Sequence, residues 1–306
     1  MPPNRIIKRC VFALLALIGV CEIALRLTGV VDFPIYEVDD GIGYVIRPNQ
    51  AGAFLRTHSW VFNDRSMGIA AAWEPKKKPD LLLIGNSIVM GGNPYAQPEK
   101  LGPLLQNQLG DRVAVWPIAV GGWTEVNETV YLERNPDVAS NAGFFIWVVL
   151  RGGLSQLNRW HSDYVFPRAR PFSATWYALC RFVLPRIVPS NMSELPPQGA
   201  FTTENLNKFE AMIAKLSQAS GRPVPGILVF YPAQADLAAA RRGSEWLPER
   251  PELERIAAKY GLRILDVSMR HEWSSTEYRD GTHPTVEGNR LLAHIVADTV
   301  RETYKP

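Results

Sequence analysis

Ser87 is the first residue whose type and position could support chemistry. It follows the apolar run at residues 81–84, after Gly85 and Asn86. A serine next to a glycine at the end of a buried strand can be exposed at the edge of a sheet, where backbone N–H groups stabilise a developing oxyanion. Its hydroxyl is a weak nucleophile, so it requires a base within hydrogen-bond distance. Without such a base, Ser87 would be a turn residue that caps a helix.

The sequence DGTHP at residues 280–284 supplies a candidate base. His283 is one of five histidines in the chain, and it alone follows the last predicted strand, has an acid three residues earlier and precedes a helix. Asp280 at this spacing can fix the tautomer of the imidazole ring and stabilise the imidazolium ion. The competing interpretation is a helix-capping aspartate beside a surface histidine. Ser87, His283 and Asp280 together have the residue types of a catalytic triad.

Five short apolar runs alternate with amphipathic helical patterns, and these elements must position the three side chains. The strands are predicted at 81–84, 113–118, 144–150, 226–231 and 263–267, and the helices at 98–109, 124–133, 203–219, 249–260 and 285–303. Continuous apolar strands separated by helices are typical of a parallel sheet that is covered on both faces. Functional groups in such α/β folds collect beyond the carboxyl ends of the strands. Ser87 and the DGTHP sequence both follow predicted strands.

The GNS sequence at 85–87 and the DGTHP sequence, with its continuation to Gly288-Asn289, resemble the SGNH hydrolase superfamily, the GDSL-like esterases. The likeness extends over residues 79–303. It implies a three-layer α/β/α sandwich with a five-stranded parallel sheet, of the SGNH or flavodoxin-like type. It also implies that Ser87 is the nucleophile, His283 the base, and Asp280 the residue that orients His283.

The resemblance is weaker for the oxyanion hole, which in this family has three donors. Two of them correspond to the backbone N–H groups of Ser87 and Gly122. The third is an asparagine in a Gly-x-Asn-Asp block, whereas this chain reads RGGLS at 151–155. Loss of one donor costs on the order of 100- to 1000-fold in rate. The candidates for the third donor are Arg151, Gly152, Gly153 and Asn158.

An apolar segment near the N-terminus predicts a membrane anchor. Arg5, Lys8 and Arg9 precede residues 10–31, which have roughly the 20 residues that a transmembrane helix needs. Basic residues on this side favour a cytoplasmic N-terminus. The segment resembles that of bacterial envelope proteins with SGNH domains, so we expect a single-pass protein of the bacterial inner membrane with a periplasmic or extracellular catalytic domain. A cleaved signal peptide is the alternative, although no small-x-small site follows the run.

The chain of 306 residues divides into three parts. Residues 1–31 form the predicted anchor, 32–78 a connecting region without a regular pattern, and 79–306 an SGNH-like catalytic domain. An aromatic- and proline-rich insertion at 151–200, which includes Trp160 and Trp176, interrupts this domain. The insertion is either a cap that shapes the substrate pocket or a hydrophobic subdomain that packs on the sheet edge or rests on the membrane.

The amino-acid composition of the chain limits the binding partners and cofactors that we expect. A net charge of +3 and a pI near 8.7 are only mildly basic, so we expect no nucleic-acid partner. Of the three cysteines, two lie in the N-terminal apolar segment, which argues against a disulfide framework. The sequence shows no metal-ligand spacing and no Gly-x-x-x-x-Gly-Lys phosphate loop. We therefore expect neither a metal nor a cofactor.

The leading functional hypothesis is a serine-dependent acyl-ester hydrolase or O-acyltransferase that acts on an envelope or exopolysaccharide substrate through an acyl-enzyme on Ser87. Its substrate would be an acylated carbohydrate or another ester, and a membrane-bound acyltransferase is a candidate partner. The altered third block motivates the alternative, a non-catalytic envelope protein of the same fold that binds a polysaccharide or such a partner.

Overall fold

The structure is a computed structural model that describes residues 3–75, 79–187, 199–219 and 223–304. Residues 76–78 of the predicted connecting region and 188–198 of the predicted insertion lie outside the described residues. The first element is a long helix, α1 (Pro3–Thr28). Its part from Ile7 to Thr28 is long and apolar enough to cross a membrane, although a signal sequence would pass the same test.

Two antiparallel hairpins follow α1, where the sequence showed no regular pattern. Strand β1 (Tyr36–Asp39) pairs with β2 (Gly43–Ile46), and β3 (Gln50–Phe54) pairs with β4 (His58–Phe62). Strands this short display too little alternation to be recognised from sequence. Tyr44 of β2 is fully buried, and its ring stacks on Phe166 with 4.4 Å between ring centroids. The first hairpin is therefore packed on the insertion of the main domain.

The main domain contains a five-stranded parallel sheet. Its strands are β5 (Asp80–Gly85), β6 (Ala114–Ala119), β7 (Phe144–Val149), β8 (Gly226–Phe230) and β9 (Arg263–Asp266). Their order across the sheet is β6-β5-β7-β8-β9. All residues of β5, β7 and β8 are buried, as expected for central strands covered on both faces. The predicted α/β fold with five parallel strands is confirmed.

Helices cover both faces of this sheet. They are α2 (Ser87–Met90), α3 (Leu101–Leu109), α4 (Glu125–Arg134), α5 (Pro136–Ser140), α8 (Thr203–Leu216), α9 (Gln234–Arg241), α10 (Arg250–Tyr260) and α11 (Val286–Thr303). The insertion adds α6 (Ala174–Ala178) and α7 (Leu184–Ile187). α3 packs against α11, and α4 packs against α8. The hydroxyl of Thr285 accepts the N–H of Gly288 at 2.9 Å and begins α11. Gly261, with φ of +66°, ends α10 in the left-handed conformation.

Within the insertion, α6 continues through a π-helical turn (Leu179–Val183) into α7. We call this continuous segment, residues 174–187, the arm helix. The first part of the arm helix, α6, contacts α1.

Candidate active site

Ser87 follows the carboxyl end of the interior strand β5 and is the first residue of α2. The side chain of Asn86 caps α2 by accepting the N–H of Ile88 at 3.1 Å. Gly85 is required for the tight turn between strand and helix, because a Cβ there would lie 2.7 Å from the Cγ2 atom of Val89. The local sequence therefore holds Ser87 at the edge of the sheet.

The loop that carries Asp280 and His283 is fixed by its own backbone and by two tyrosines. The Oδ1 atom of Asp280 accepts the N–H groups of Thr282 at 2.9 Å and of His283 at 2.8 Å. Tyr231 donates its hydroxyl to the carbonyl of Thr282 at 2.9 Å, and Tyr95 donates to the carbonyl of Pro284. The sequence analysis missed these tyrosines, which are distant from the motif in the chain.

Ser87, His283 and Asp280 form one continuous hydrogen-bonded series. The Nε2 atom of His283 lies 2.9 Å from the Oγ atom of Ser87, and its Nδ1 atom lies 3.1 Å from both carboxylate oxygens of Asp280. A carboxylate accepts only, so Nδ1 carries the proton and Nε2 is free to accept the serine proton. The three residues predicted from sequence are thus brought together in the geometry of a nucleophile, its base and an orienting acid.

Asp280 remains ionised in this arrangement. Partial burial acts to raise the pKa of Asp280, but the N–H groups of His283 and Thr282 and the guanidinium of Arg279 outweigh it and hold that pKa well below its ordinary value. Arg279 contacts the Oδ2 atom of Asp280 at 3.0 Å. A permanent negative charge beside Nδ1 stabilises the imidazolium that forms when His283 takes a proton.

Gly121, the residue before the Gly122 named in the sequence analysis, lies beside Ser87. A cleft of about 340 Å³ adjoins Ser87, and Gly121 forms part of its wall. We call it the Ser87 cleft. The N–H of Gly121 lies 2.9 Å from the Sδ atom of Met90, another residue of this wall. Gly122, with φ of +78°, turns its carbonyl to the side chain of Asn158, which donates at 2.8 Å. Gly121 is therefore the glycine at the Ser87 cleft, where the sequence analysis named Gly122.

The hydroxyl of Tyr44 supports this glycine from outside the main domain. It donates to the carbonyl of Gly121 at 2.9 Å, and the indole N–H of Trp123 donates in return to the carbonyl of Tyr44 at 2.8 Å. The connecting region thus fixes the orientation of the Gly121 peptide. Nothing in the sequence around Tyr44 indicates this role, because the contact joins residues 77 positions apart.

The third-block loop, residues 150–158, turns its polar groups away from Ser87. The N–H of Gly152 donates to Glu249 at 3.1 Å, and the N–H of Gly153 donates to the carbonyl of Leu150 at 3.2 Å. Arg151 pairs with Asp236 at 3.2 Å. Among the described residues of the Ser87 cleft wall, none comes from this loop. The candidates named from sequence for the third donor, Asn158 included, are therefore engaged elsewhere.

Buried carboxyl groups hold the third-block loop in place. The Oε1 atom of Glu125 accepts the N–H of Leu150 at 2.8 Å, and Glu128 accepts the indole N–H of Trp147. Burial raises the pKa of Glu125 to about 8, and burial and the nearby Glu125 raise the pKa of Glu128 well above its ordinary value. A Cβ at Gly153 would lie 1.2 Å from the Oε2 atom of Glu125, so only glycine fits there.

The rest of the Ser87 cleft is aromatic and cationic. The connecting region contributes Phe33 and Tyr36, and the insertion contributes Tyr164 and Tyr177. Arg181 of the arm helix and Arg279 add positive charge beside Ser87 and His283. The insertion therefore does shape the pocket, as one of the two interpretations of its sequence expected.

This fold and this hydrogen-bonded arrangement define a serine-dependent hydrolase of the α/β class. The model of the GDSL-like Lipase/Acylhydrolase family matches residues 83–291, about two thirds of the chain. The protein belongs to this family, and its class of reaction is the hydrolysis of acyl esters. The family resemblance noted in the sequence is confirmed.

Solved structures of remote relatives show a similar fold. The lipase/acylhydrolase from Enterococcus faecalis is 15% identical, with 75% of this chain and 98% of that chain covered and a TM-score of 0.45. Est24, a carbohydrate acetylesterase from Sinorhizobium meliloti, is 15% identical, with coverages of 74% and 99% and a TM-score of 0.43. Neither likeness assigns a substrate. A comparison with curated proteins finds no match.

Proposed function

We propose that the protein is a membrane-anchored serine esterase or O-acyltransferase that acts on an acylated carbohydrate of the bacterial envelope or of an exopolysaccharide. The observation that carries the proposal is the 2.9 Å contact between Ser87 Oγ and His283 Nε2, with Asp280 on the other ring nitrogen. A serine with an oriented base is the minimal apparatus for nucleophilic acyl transfer.

The reaction has two half-reactions. In the first, Ser87 Oγ attacks the ester carbonyl while His283 takes the hydroxyl proton, and the tetrahedral intermediate then expels the alcohol, which receives that proton from His283. In the second, His283 removes a proton from water or from a sugar hydroxyl, whose oxygen attacks the acyl-enzyme. Collapse of the second intermediate returns the proton to Ser87 and releases an acid or a new ester.

We assign the oxyanion donors to the N–H groups of Ser87 and Gly121. The assignment is supported by the position of Gly121 in the wall of the Ser87 cleft and by its fixed peptide orientation through Tyr44. The N–H of Gly121 meets the weak acceptor Sδ of Met90. An oxyanion is a much stronger acceptor and would take this donor from the thioether.

The membrane anchor and the carbohydrate substrate have separate support. The apolar part of α1, Ile7–Thr28, leaves an exposed apolar surface suited to lipid. Basic residues before it favour a cytoplasmic N-terminus and therefore a periplasmic catalytic domain. Arg181 and Arg279 give the Ser87 cleft hydrogen-bond donors beside aromatic rings, a combination suited to a polar acyl-bearing sugar.

The test is labelling of the full chain by a fluorophosphonate probe that reacts with activated serines. We expect labelling of the wild type and none of Ser87→Ala. The matched control is Ser140→Ala, which removes an exposed serine at the end of α5 and should label normally. Equal labelling of the wild type and Ser87→Ala would contradict the assignment of the nucleophile.

One observation favours a second candidate, a non-catalytic protein that binds a polysaccharide or a membrane-bound acyltransferase. The polar groups of the third-block loop serve structural bonds and leave the oxyanion hole with two donors. A folded protein that resists the probe and retains saccharide binding would favour this candidate over the enzyme.

A further inference from the structure

The arm helix is apolar on both of its faces. Ala174, Tyr177 and Cys180 face the protein and are buried. The opposite face exposes a stripe of apolar side chains at helical spacing, namely Trp176, Leu179, Val183 and Ile187. Trp176 is 58% exposed and Ile187 is 70% exposed. A helix that buries one apolar face and exposes a second apolar stripe is suited to contact with protein on one side and with protein or lipid on the other.

Polar contacts join the start of the arm helix to α1. The carboxylate of Glu22 accepts the N–H of Ala174 at 2.8 Å, the N–H of Thr175 at 3.0 Å and the hydroxyl of Ser173 at 3.0 Å. Arg26 donates to the Oε1 atom of Glu22 at 2.7 Å and to the carbonyl of Phe172 at 2.6 Å. Glu22 and Arg26, the charged residues of the apolar segment, are therefore used to attach the arm helix.

These contacts fix the depth of the arm helix relative to the apolar span. The span Ile7–Thr28 has 22 residues and a length of about 33 Å, which matches a hydrocarbon core of ~30 Å. Glu22 lies six residues before the end of the span, which is roughly 9 Å along the axis. Helices that lie in a membrane surface reach about 5–10 Å into it, and the position of Glu22 along the span agrees with this depth.

The charge and the aromatic residue on the exposed side fit the same surroundings. Arg186 is exposed beside the apolar stripe, and no ion pair is found for it among the described residues. Basic side chains next to apolar ones favour anionic lipid headgroups. Tryptophan and tyrosine are enriched where headgroups meet acyl chains, and Trp176 is the exposed aromatic residue of the stripe.

A cavity of about 670 Å³ lies beside the arm helix and shares its wall with the Ser87 cleft. Trp176 and the fully exposed Phe172 line its outer side. Tyr164, Pro167 and Tyr177 line both this cavity and the Ser87 cleft. The mouth of the Ser87 cleft therefore lies next to the apolar stripe.

We propose that the arm helix is seated in the surface of the bilayer that α1 crosses, and that it holds the mouth of the Ser87 cleft at the membrane–water interface. The occupant of the apolar stripe is lipid with anionic headgroups. The inference rests on the membrane anchor of the proposed function. It adds that the enzyme acts on esters presented at the membrane surface, because the arm helix keeps the mouth of the Ser87 cleft there.

Tryptophan fluorescence tests the proposal directly. The chain has nine tryptophans, none of them in the span, and Trp176 alone is exposed. The full chain is reconstituted in vesicles of phosphatidylcholine and phosphatidylglycerol, with acyl chains brominated near the headgroup. We expect the lipid to quench the wild type and expect Trp176→Phe to lose most of this quenching. Trp160→Phe, the matched control in the same insertion, should keep it.

Substitutions on the exposed face of the arm helix provide a second test. Val183→Asp combined with Ile187→Asp should lift the arm helix from the lipid and reduce quenching of Trp176, whereas Met269→Asp, at an exposed apolar site outside the insertion, should not. All these variants should hydrolyse a soluble short-chain aryl ester at the wild-type rate, which shows that they fold. Equal quenching of the wild type and Trp176→Phe would overturn the proposal. Acylation of Ser87 and flotation of the protein with the vesicles are measured separately. Failure of the proposed function would appear as absent acylation, and failure of the membrane anchor as absent flotation.

Discussion

Two regions at the carboxyl end of the sheet are built in opposite ways. On the triad side, Ser87, His283 and Asp280 direct their polar atoms to one another, and the side chain of His283 is 31% exposed. In the third-block loop, the N–H groups of Leu150 and Gly152 instead donate to the carboxyl groups of Glu125 and Glu249. The same end of the sheet thus carries one set of polar groups for chemistry and another for structure.

This difference shows which parts of a serine hydrolase can change independently of one another. The nucleophile and its base must lie within hydrogen-bond distance of each other, and this chain has both candidate residues at that distance. An oxyanion donor can be lost at a cost in rate without loss of the fold. Here the loop that would supply it is instead fixed by Glu125, and Gly153 is the residue that lets that carboxyl group approach.

The largest effect is expected from His283→Gln, which removes the base on the triad side. Turnover should fall on the order of 10⁴- to 10⁶-fold, because the residues of a triad act as a unit. The measurement is steady-state hydrolysis of an aryl acetate. His294→Gln is the matched control, since His294 is exposed and pairs with Asp298 at 3.4 Å on α11. A fall of less than tenfold in His283→Gln would place the base elsewhere.

A somewhat smaller effect is expected from Asp280→Asn. Asparagine can still accept the two backbone N–H groups, but it presents no negative charge to Nδ1 and favours the wrong tautomer of His283. The value of kcat should decrease on the order of 10²- to 10⁴-fold with little change in KM. Asp298→Asn, which alters the surface pair with His294, should leave both constants unchanged. Unaltered kcat in Asp280→Asn would remove Asp280 from the mechanism.

Asn158→Ala tests whether the third-block loop has a structural or a catalytic role. The structure gives the Asn158 amide a buried bond to the carbonyl of Gly122, so its loss should lower the free energy of unfolding by about 1–3 kcal/mol. If Asn158 does not donate to the oxyanion, kcat/KM should fall less than the ~100-fold typical of a lost donor. Denaturant unfolding and ester hydrolysis measure the two effects. Asn141→Ala, which removes a less buried side-chain bond on the surface of the same domain, is the control. A large kinetic loss with unchanged stability would make Asn158 the third donor.

The smallest effect on activity is expected from Glu125→Gln, whose consequence is a change in the pH dependence of stability. Burial raises the pKa of Glu125 from an ordinary value of 4.5 to about 8. Between these values the folded state binds more protons than the unfolded state, so the wild type loses stability as the pH rises through this window. Glutamine does not titrate and keeps the bond to Leu150 N–H, so its unfolding temperature should vary less between pH 5 and pH 9.

The control for that prediction is Glu133→Gln, at an exposed position on the same helix α4. It should reproduce the pH dependence of the wild type. The same slope in Glu125→Gln would mean that Glu125 does not hold its proton in the folded state.

The fold and the triad were predictable because both depend on local patterns. The strand that precedes Ser87 is a continuous apolar run, and Asp280 and His283 lie three residues apart in one loop. Such signals need no knowledge of distant contacts. The same holds for the long helices, where apolar residues recur at helical spacing.

The oxyanion hole was not predictable, because it depends on backbone direction and on partners far away in the chain. Gly121 and Gly122 are adjacent, and the sequence does not show which N–H reaches the cleft. The proposed assignment to Gly121 depends on the positive φ of Gly122 and on the hydroxyl of Tyr44, which comes from a hairpin too short to be recognised. Glu125 was equally hidden, since an acid in the first turn of a helix normally indicates a solvated helix start.

The most direct test of the account is mass spectrometry of the full chain after brief incubation with an activated acetyl ester, with and without a sugar acceptor. We predict one acetyl group on the peptide that contains Ser87, absent from Ser87→Ala, and lost faster when an acceptor sugar is present than in water alone if the enzyme transfers the group. Consumption of the ester by the wild type with no acetyl group on Ser87, in samples quenched with acid during turnover, would contradict the acyl-enzyme and with it the assigned triad.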